Sequence, residues 1–121
     1  MSQPKWLSRG EEPSRKRADK YDQKFAKKHG GRTYCNSGAK FGQNDVKIGD
    51  YDFETKYTDN KQYPLKAEEF RQIQRKAGIS KIAVEVIRFP KEGMELAVID
   101  LETLMGLIEK EKELAALLAK T

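Results

Sequence analysis

Residues 81–89, KIAVEVIRF, constrain the fold more tightly than any other stretch of this chain. Within them Ile82, Ala83, Val84, Val86, Ile87 and Phe89 are apolar at odd and even positions alike, with Glu85 set in their midst. A strand sends alternate side chains to opposite faces, so such a run needs cover on both sides and belongs in the middle of a sheet. The flanking periods supply that cover. A helix is predicted over 13–29, with Ala18, Tyr21, Asp22, Phe25 and Ala26 on one stripe and Gly30-Gly31 ending it. Short strands are expected at 32–35 and 45–48, with a hairpin turn at Gly49-Asp50. Residues 51–57, YDFETKY, alternate cleanly. A helix follows over 65–77, its apolar face built from Leu65, Phe70 and Ile73. After 81–89 a turn at 90–93 leads to a strand at 94–99 and a helix at 101–119 capped by Asp100. The order predicts an α/β fold: a central mixed sheet of about five strands flanked by helices.

The length of 121 residues suits one domain. Residues 1–12 lack periodicity and read as a basic, flexible tail, leaving 13–121 as the domain. Charge is uneven: residues 1–49 hold 12 Lys and Arg against 5 Asp and Glu, within a net charge of +5. A basic front half points to a polyanion, because neutralising phosphates releases counterions. The single Cys35 has no internal disulfide partner, which fits a reducing cytosol. No apolar run approaches the ~20 residues that cross a bilayer, so a cytoplasmic protein with no membrane partner is expected.

Chemistry concentrates in one hairpin. Asp52, Glu54 and Lys56 share one face of their strand. With Val46 and Ile48 turned to the core, Asp45 is expected on that same face. Two carboxylates a few ångströms apart raise one another's pKa unless a cation lies between them. A hard ion such as Mg²⁺ accepts one or two carboxylates and keeps positions for water and phosphate. Lys56 would then orient water and stabilise charge on a transferring phosphoryl group.

Asp45, then Glu54 nine residues on with Thr55 and Lys56 after it, following an N-terminal helix, resembles the PD-(D/E)XK nuclease motif with its αβββαβ core. The stretch from Gly30-Gly31 through Asn36-Ser37-Gly38-Ala39 to Thr58 is similar to the archaeal- and phage-type Holliday junction resolvases of that superfamily, as are 86–89 and 96–100. The resemblance implies metal ligation by Asp45, Glu54 and the Thr55 carbonyl, with Lys56 as catalytic lysine and Ser37 near the scissile phosphate. It implies Mg²⁺, with Mn²⁺ able to substitute, and 5′-phosphate products. The helix glutamate of those enzymes is matched by Asp22, one methylene shorter, with Asp19 as competitor; Asn44 stands where the motif name has Pro. It also implies a homodimer acting on four-way DNA junctions, in a bacterial or archaeal cell and possibly phage-encoded. Leu114, Leu117 and Leu118, apolar beyond what one sheet face requires, independently suggest a subunit contact or packing on their own body.

Arg9, Arg15, Lys16, Arg17 and Lys20 form a basic arm suited to a DNA backbone, and Lys24, Lys27, Lys28 and Arg32 continue it. Lys40 and Phe41 lie on the small-residue loop, where Phe41 is placed to stack on an unpaired base or to serve the core. Lys61, Gln62 and Tyr63 follow the acidic strand and are further candidates for substrate contact. His29 reads as a surface cap. The alternatives are a nicking or restriction-type nuclease of the same superfamily and a non-catalytic DNA-binding protein.

Overall fold

A computed structural model describes residues 14–34 and 43–121. Its elements are α1 (Ser14–His29), β1 (Arg32–Thr33), β2 (Val46–Ile48), β3 (Tyr51–Tyr57), α2 (Ala67–Ala77), β4 (Ile82–Phe89), a 3₁₀ turn (Pro90–Glu92), β5 (Met94–Val98) and α3 (Leu101–Ala119). The five strands form one mixed sheet in the order β1-β2-β3-β4-β5. Only β3 and β4 run parallel, and α2 makes the crossover between them. The expected α/β class and five-strand sheet are therefore present.

β4 has the central place that its composition demands, and Ala83 to Ile87 are all buried. One sheet face meets α1. Phe25 packs edge-on against Phe53 at 5.3 Å, and the Arg88 guanidinium lies 3.5 Å over the Tyr21 ring. Tyr21 also donates its hydroxyl hydrogen bond to Glu95 of β5. The other face meets α2, where Ile73 and Ala77 close over Ala83 with Phe70 beside them. Each aliphatic side chain buried in this way contributes roughly 1.5–3 kcal/mol.

Turns follow local chemistry. Gly49 takes φ +57, which allows a two-residue turn between β2 and β3. Gly31 is required for another reason: a Cβ there would lie 2.3 Å from the Lys47 carbonyl oxygen, so only glycine lets α1 run this close to β2. Lys27, Lys28 and His29 complement the α1 C-terminal dipole. Asp100 caps α3, accepting from the Thr103 N–H at 3.2 Å.

Three expectations need correction. α2 begins at Ala67, and Leu65 is 54% exposed, so Leu65 supplies nothing to its apolar face. β1 covers Arg32 and Thr33, the described residues that pair with β2, and Tyr34 falls outside it. α3 has the expected span but buries none of its residues. The tail at 1–12, Pro13 and the loop residues Cys35, Ser37, Lys40 and Phe41 lie outside the described residues, as do the side chains of Arg15 and Lys16.

Candidate functional site

The site arises where β3 outruns β2. Their ladder pairs Val46 with Phe53, Lys47 with Asp52 and Ile48 with Tyr51, and there it stops. Asn44 is fully buried and donates to Asp52 Oδ2 at 2.7 Å and to the Ile73 carbonyl at 3.1 Å. That anchor holds Asn44 towards α2, and the chain bends at Asp45. The Asp45 carboxylate therefore lies at the free edge of β3, accepting from the Thr55 N–H at 2.8 Å and approaching the Thr55 hydroxyl at 3.1 Å. Strand parity placed it on the Glu54 face; the bend breaks that parity.

In a strand, N–H and C=O of one residue leave by the same edge. The Thr55 carbonyl thus opens on the Asp45 side, beyond the end of the β2 ladder. The Thr55 hydroxyl also donates to Asp22 Oδ1 at 2.7 Å. One hydroxyl hydrogen serves one acceptor, yet two carboxylates contact this oxygen. A proton on one carboxyl resolves the conflict. Burial first, and then the Asp45 charge, push Asp22 up to about 6 against the pull of the Thr55 hydrogen bond. Asp19, the competitor for the helix position, is exposed, whereas Asp22 is 7% exposed and reaches the site.

Glu54 occupies the α2 face. It is 8% exposed, and its Oε1 has no hydrogen-bond partner. Burial, then the charge of Asp45, push it up to about 7 against the opposing pull of Lys56 and Lys76. Lys56 Nζ stands 3.3 Å from Glu54 Oε2. Burial pulls the Lys56 ammonium down, but the Glu54 charge and hydrogen bond outweigh it, and the net shift is upward.

Glu85, unassigned by sequence reasoning, stands directly beside Glu54 in the β3–β4 register. It is wholly buried, and neither carboxylate oxygen has a hydrogen-bond partner. Burial first, then the charge of Glu69, raise its pKa, while Lys56 opposes. The available signal was one acid flanked on both sides by apolar residues in the central strand. Tyr63, raised first by burial and then by Glu69, borders the same face.

The basic residues lie around the sheet margin. Arg17 lies 6.0 Å over the Tyr57 ring, and Lys20, Gln23, Lys24 and Lys27 line a shallow cleft along α1. Lys28 and Arg32 are exposed. Lys61 borders a separate cleft with Phe89, Glu92, Met94 and Leu96. His29 is exposed, and its ring lies tilted against Phe25 at 4.8 Å.

Among the described residues, no group of three or more His, Cys, Asp and Glu side chains forms a metal cage. A hard divalent ion that keeps most of its waters needs less: one or two carboxylates suffice. Asp45, the Thr55 carbonyl and Glu54 Oε1, which has no hydrogen-bond partner, are the groups that could hold such an ion, and a cation would relieve the repulsion that the Asp45 charge exerts on Glu54.

Comparison of the chain with protein-family models, with curated proteins and with solved structures gave no match in any of the three. Among the described residues, no helix is long and apolar enough to cross a membrane.

Proposed function

We propose that this protein is a metal-dependent endonuclease that hydrolyses phosphodiester bonds in branched DNA, in the manner of a Holliday junction resolvase. One observation carries the reading: Asp45, fixed at the Thr55 N–H, acts with its charge on a buried Glu54 whose Oε1 has no hydrogen-bond partner and whose Oε2 stands 3.3 Å from Lys56 Nζ. A DNA-binding surface gains nothing from paired carboxylates next to phosphate, whereas phosphodiester hydrolysis uses them to hold a cation. The order α1-β1-β2-β3-α2-β4 agrees with the αβββαβ core that the motif resemblance implies.

Asp45, Glu54 and the Thr55 carbonyl would hold the ion, Mg²⁺ or Mn²⁺. When bound, the ion supplies Lewis-acid polarisation of a phosphate oxygen and lowers the pKa of coordinated water. Asp22 acts through Thr55: its hydrogen bond fixes the hydroxyl, and with it the position of Asp45. Lys56 is a positioning and charge-stabilising group. Its raised pKa keeps it an ammonium at neutral pH, so it donates hydrogen bonds to water or phosphate and takes up no proton. The attacking water forms the new P–O bond, the P–O3′ bond breaks, and the 3′ oxygen leaves with a proton.

Symmetric cutting of a four-way junction needs two such sites, so the proposal includes a homodimer. The exposed Leu114, Leu117 and Leu118 offer apolar surface for it.

The test presents purified protein with a four-way junction, a linear duplex and a single strand, with Mg²⁺, Mn²⁺ or EDTA. Junction-selective, metal-dependent cleavage that disappears in Glu54→Ala and Lys56→Ala is expected. Tight junction binding without cleavage in either metal overturns the proposal.

A further inference from the structure

Three cations outside the carboxylate site crowd together on the same sheet face, towards the turn between β2 and β3. Arg32 stands directly opposite Lys47 in the β1–β2 ladder, and Lys47 opposite Asp52 in the next. Lys81, just before β4, reaches the same place: its Nζ lies 3.0 Å from the Tyr34 hydroxyl, which in turn donates to Asp52 Oδ1 at 2.6 Å. The charges of Lys81 and Arg32 both act on Lys47. Like charges directly opposed on a sheet are destabilising.

Among the described residues their neutralisation is partial: the Asp50 carboxylate, in the turn after β2, acts on Lys47 against the two cations. Asp52 is the adjacent carboxylate, but it is 1% exposed and engaged by Tyr34 and Asn44. Among the described residues, Arg32, Lys47 and Lys81 form no ion pair. Next to two of them, an open cleft of about 250 Å³ is lined by Gly30, Gly31, Arg32, Lys47 and Gly49.

The geometry points to an anion site formed by Arg32, Lys47 and Lys81 that grips a backbone phosphate of the bound DNA strand next to the one at the carboxylates. The step from the Lys47–Asp52 pair to Glu54 is two residues of β3, about 7 Å along the strand, which is the scale of one nucleotide step. Sequence reasoning assigned Arg32 to DNA, but not Lys47 or Lys81. The inference rests on the nuclease reading for its ligand, but its test does not depend on cleavage.

Binding of a fluorescent four-way junction is measured in EDTA across a salt series for wild type, Lys47→Ala, Lys81→Ala, Lys47→Arg and Lys91→Ala, whose site is the exposed 3₁₀ turn. Each removed phosphate contact lowers the slope of log K against log salt by about 0.9. Lys47→Ala and Lys81→Ala are expected to show that loss, whereas Lys47→Arg keeps the wild-type slope and Lys91→Ala changes nothing. A wild-type slope in both alanine variants, with unchanged thermal melts, overturns the site. So does an equal loss in Lys91→Ala, which reports net charge alone. Titration with inorganic phosphate separates the sources: phosphate binding that needs Lys47, combined with unaltered DNA slopes, assigns a free-anion site and overturns the DNA role. A wild type that binds but never cuts refutes the nuclease proposal while leaving the slope comparison intact.

Discussion

Glu85 and Glu54 stand side by side in the parallel β3–β4 ladder, both buried, with three of their four carboxylate oxygens lacking a hydrogen-bond partner. An unpaired buried charge is costly, so this pair stores instability that a proton or a cation removes. Glu85→Gln keeps the shape and deletes the charge. Without metal at pH 8 it is expected to raise Tm by several degrees, and to leave Tm unchanged at pH 4, where the wild-type carboxyl is already neutral. A lower Tm at pH 8 would refute the account.

The same logic gives a pH profile. Asp22 is raised from 3.8 to about 6 and Glu54 from 4.5 to about 7, so the native state binds more protons than the unfolded chain. The stability these groups allow is complete below their unfolded pKa values and declines as pH rises through about 6 and 7. Thermal melts in EDTA should therefore show Tm falling between pH 4.5 and 7.5, by less in Asp22→Asn and least in an Asp22→Asn, Glu54→Gln double variant. Mg²⁺ should flatten the wild-type curve. Identical slopes in wild type and double variant would assign the effect elsewhere.

Thr55→Val removes the hydroxyl between Asp22 and Asp45 but leaves the N–H bond to Asp45. Single-turnover cleavage is expected to fall by about tenfold or more, in line with the loss of groups that orient metal ligands. Junction affinity should stay within about twofold, because no phosphate contact is lost. Thr55→Ser should restore most of the rate. Equal rates in the valine and serine variants would deny the hydroxyl any role.

Gly31→Ala tests the fold beneath the site. The added methyl would meet the Lys47 carbonyl oxygen at 2.3 Å and Ile48 Cγ1 at 2.4 Å. A forced shift of α1 against β2 costs about 3 kcal/mol, a Tm drop on the order of 10 °C. Differential scanning calorimetry reads this directly, and a drop of only a degree or two would contradict the close approach.

A helix that buries nothing of its own also makes a concentration-dependent prediction. Wild-type protein in sedimentation velocity is expected as a dimer at micromolar concentration, and Leu114→Lys with Leu117→Lys as a monomer with unchanged helix content. A wild-type monomer at high concentration would remove α3 from any subunit contact.

Periodicity made most of the fold legible. The two-sided apolar run found β4, the strict alternation of YDFETKY found β3, and α1 revealed itself through Tyr21, Asp22, Phe25 and Ala26. What remained hidden depends on tertiary geometry. The bend at Asp45 follows from the anchoring of Asn44 on the Ile73 carbonyl, 29 residues away, which no local pattern encodes. The pairing of Glu85 with Glu54 needs the register across a helical crossover, and sequence spacing does not fix that register. Leu65 matched a helical period but precedes the helix, so its exposure could not be read from spacing. The crowding of Lys47 with Lys81 likewise joins residues that only the sheet brings together.

The bond from Tyr21 to Glu95 spans 74 residues, whereas the neighbouring bond from Asp22 to Thr55 spans 33. The helix that reaches Thr55 is thus tied twice to the sheet, once to β3 and once to β5. The last strand clamps α1 one residue before Asp22, so a late part of the chain steadies a site whose other members lie within residues 22–56.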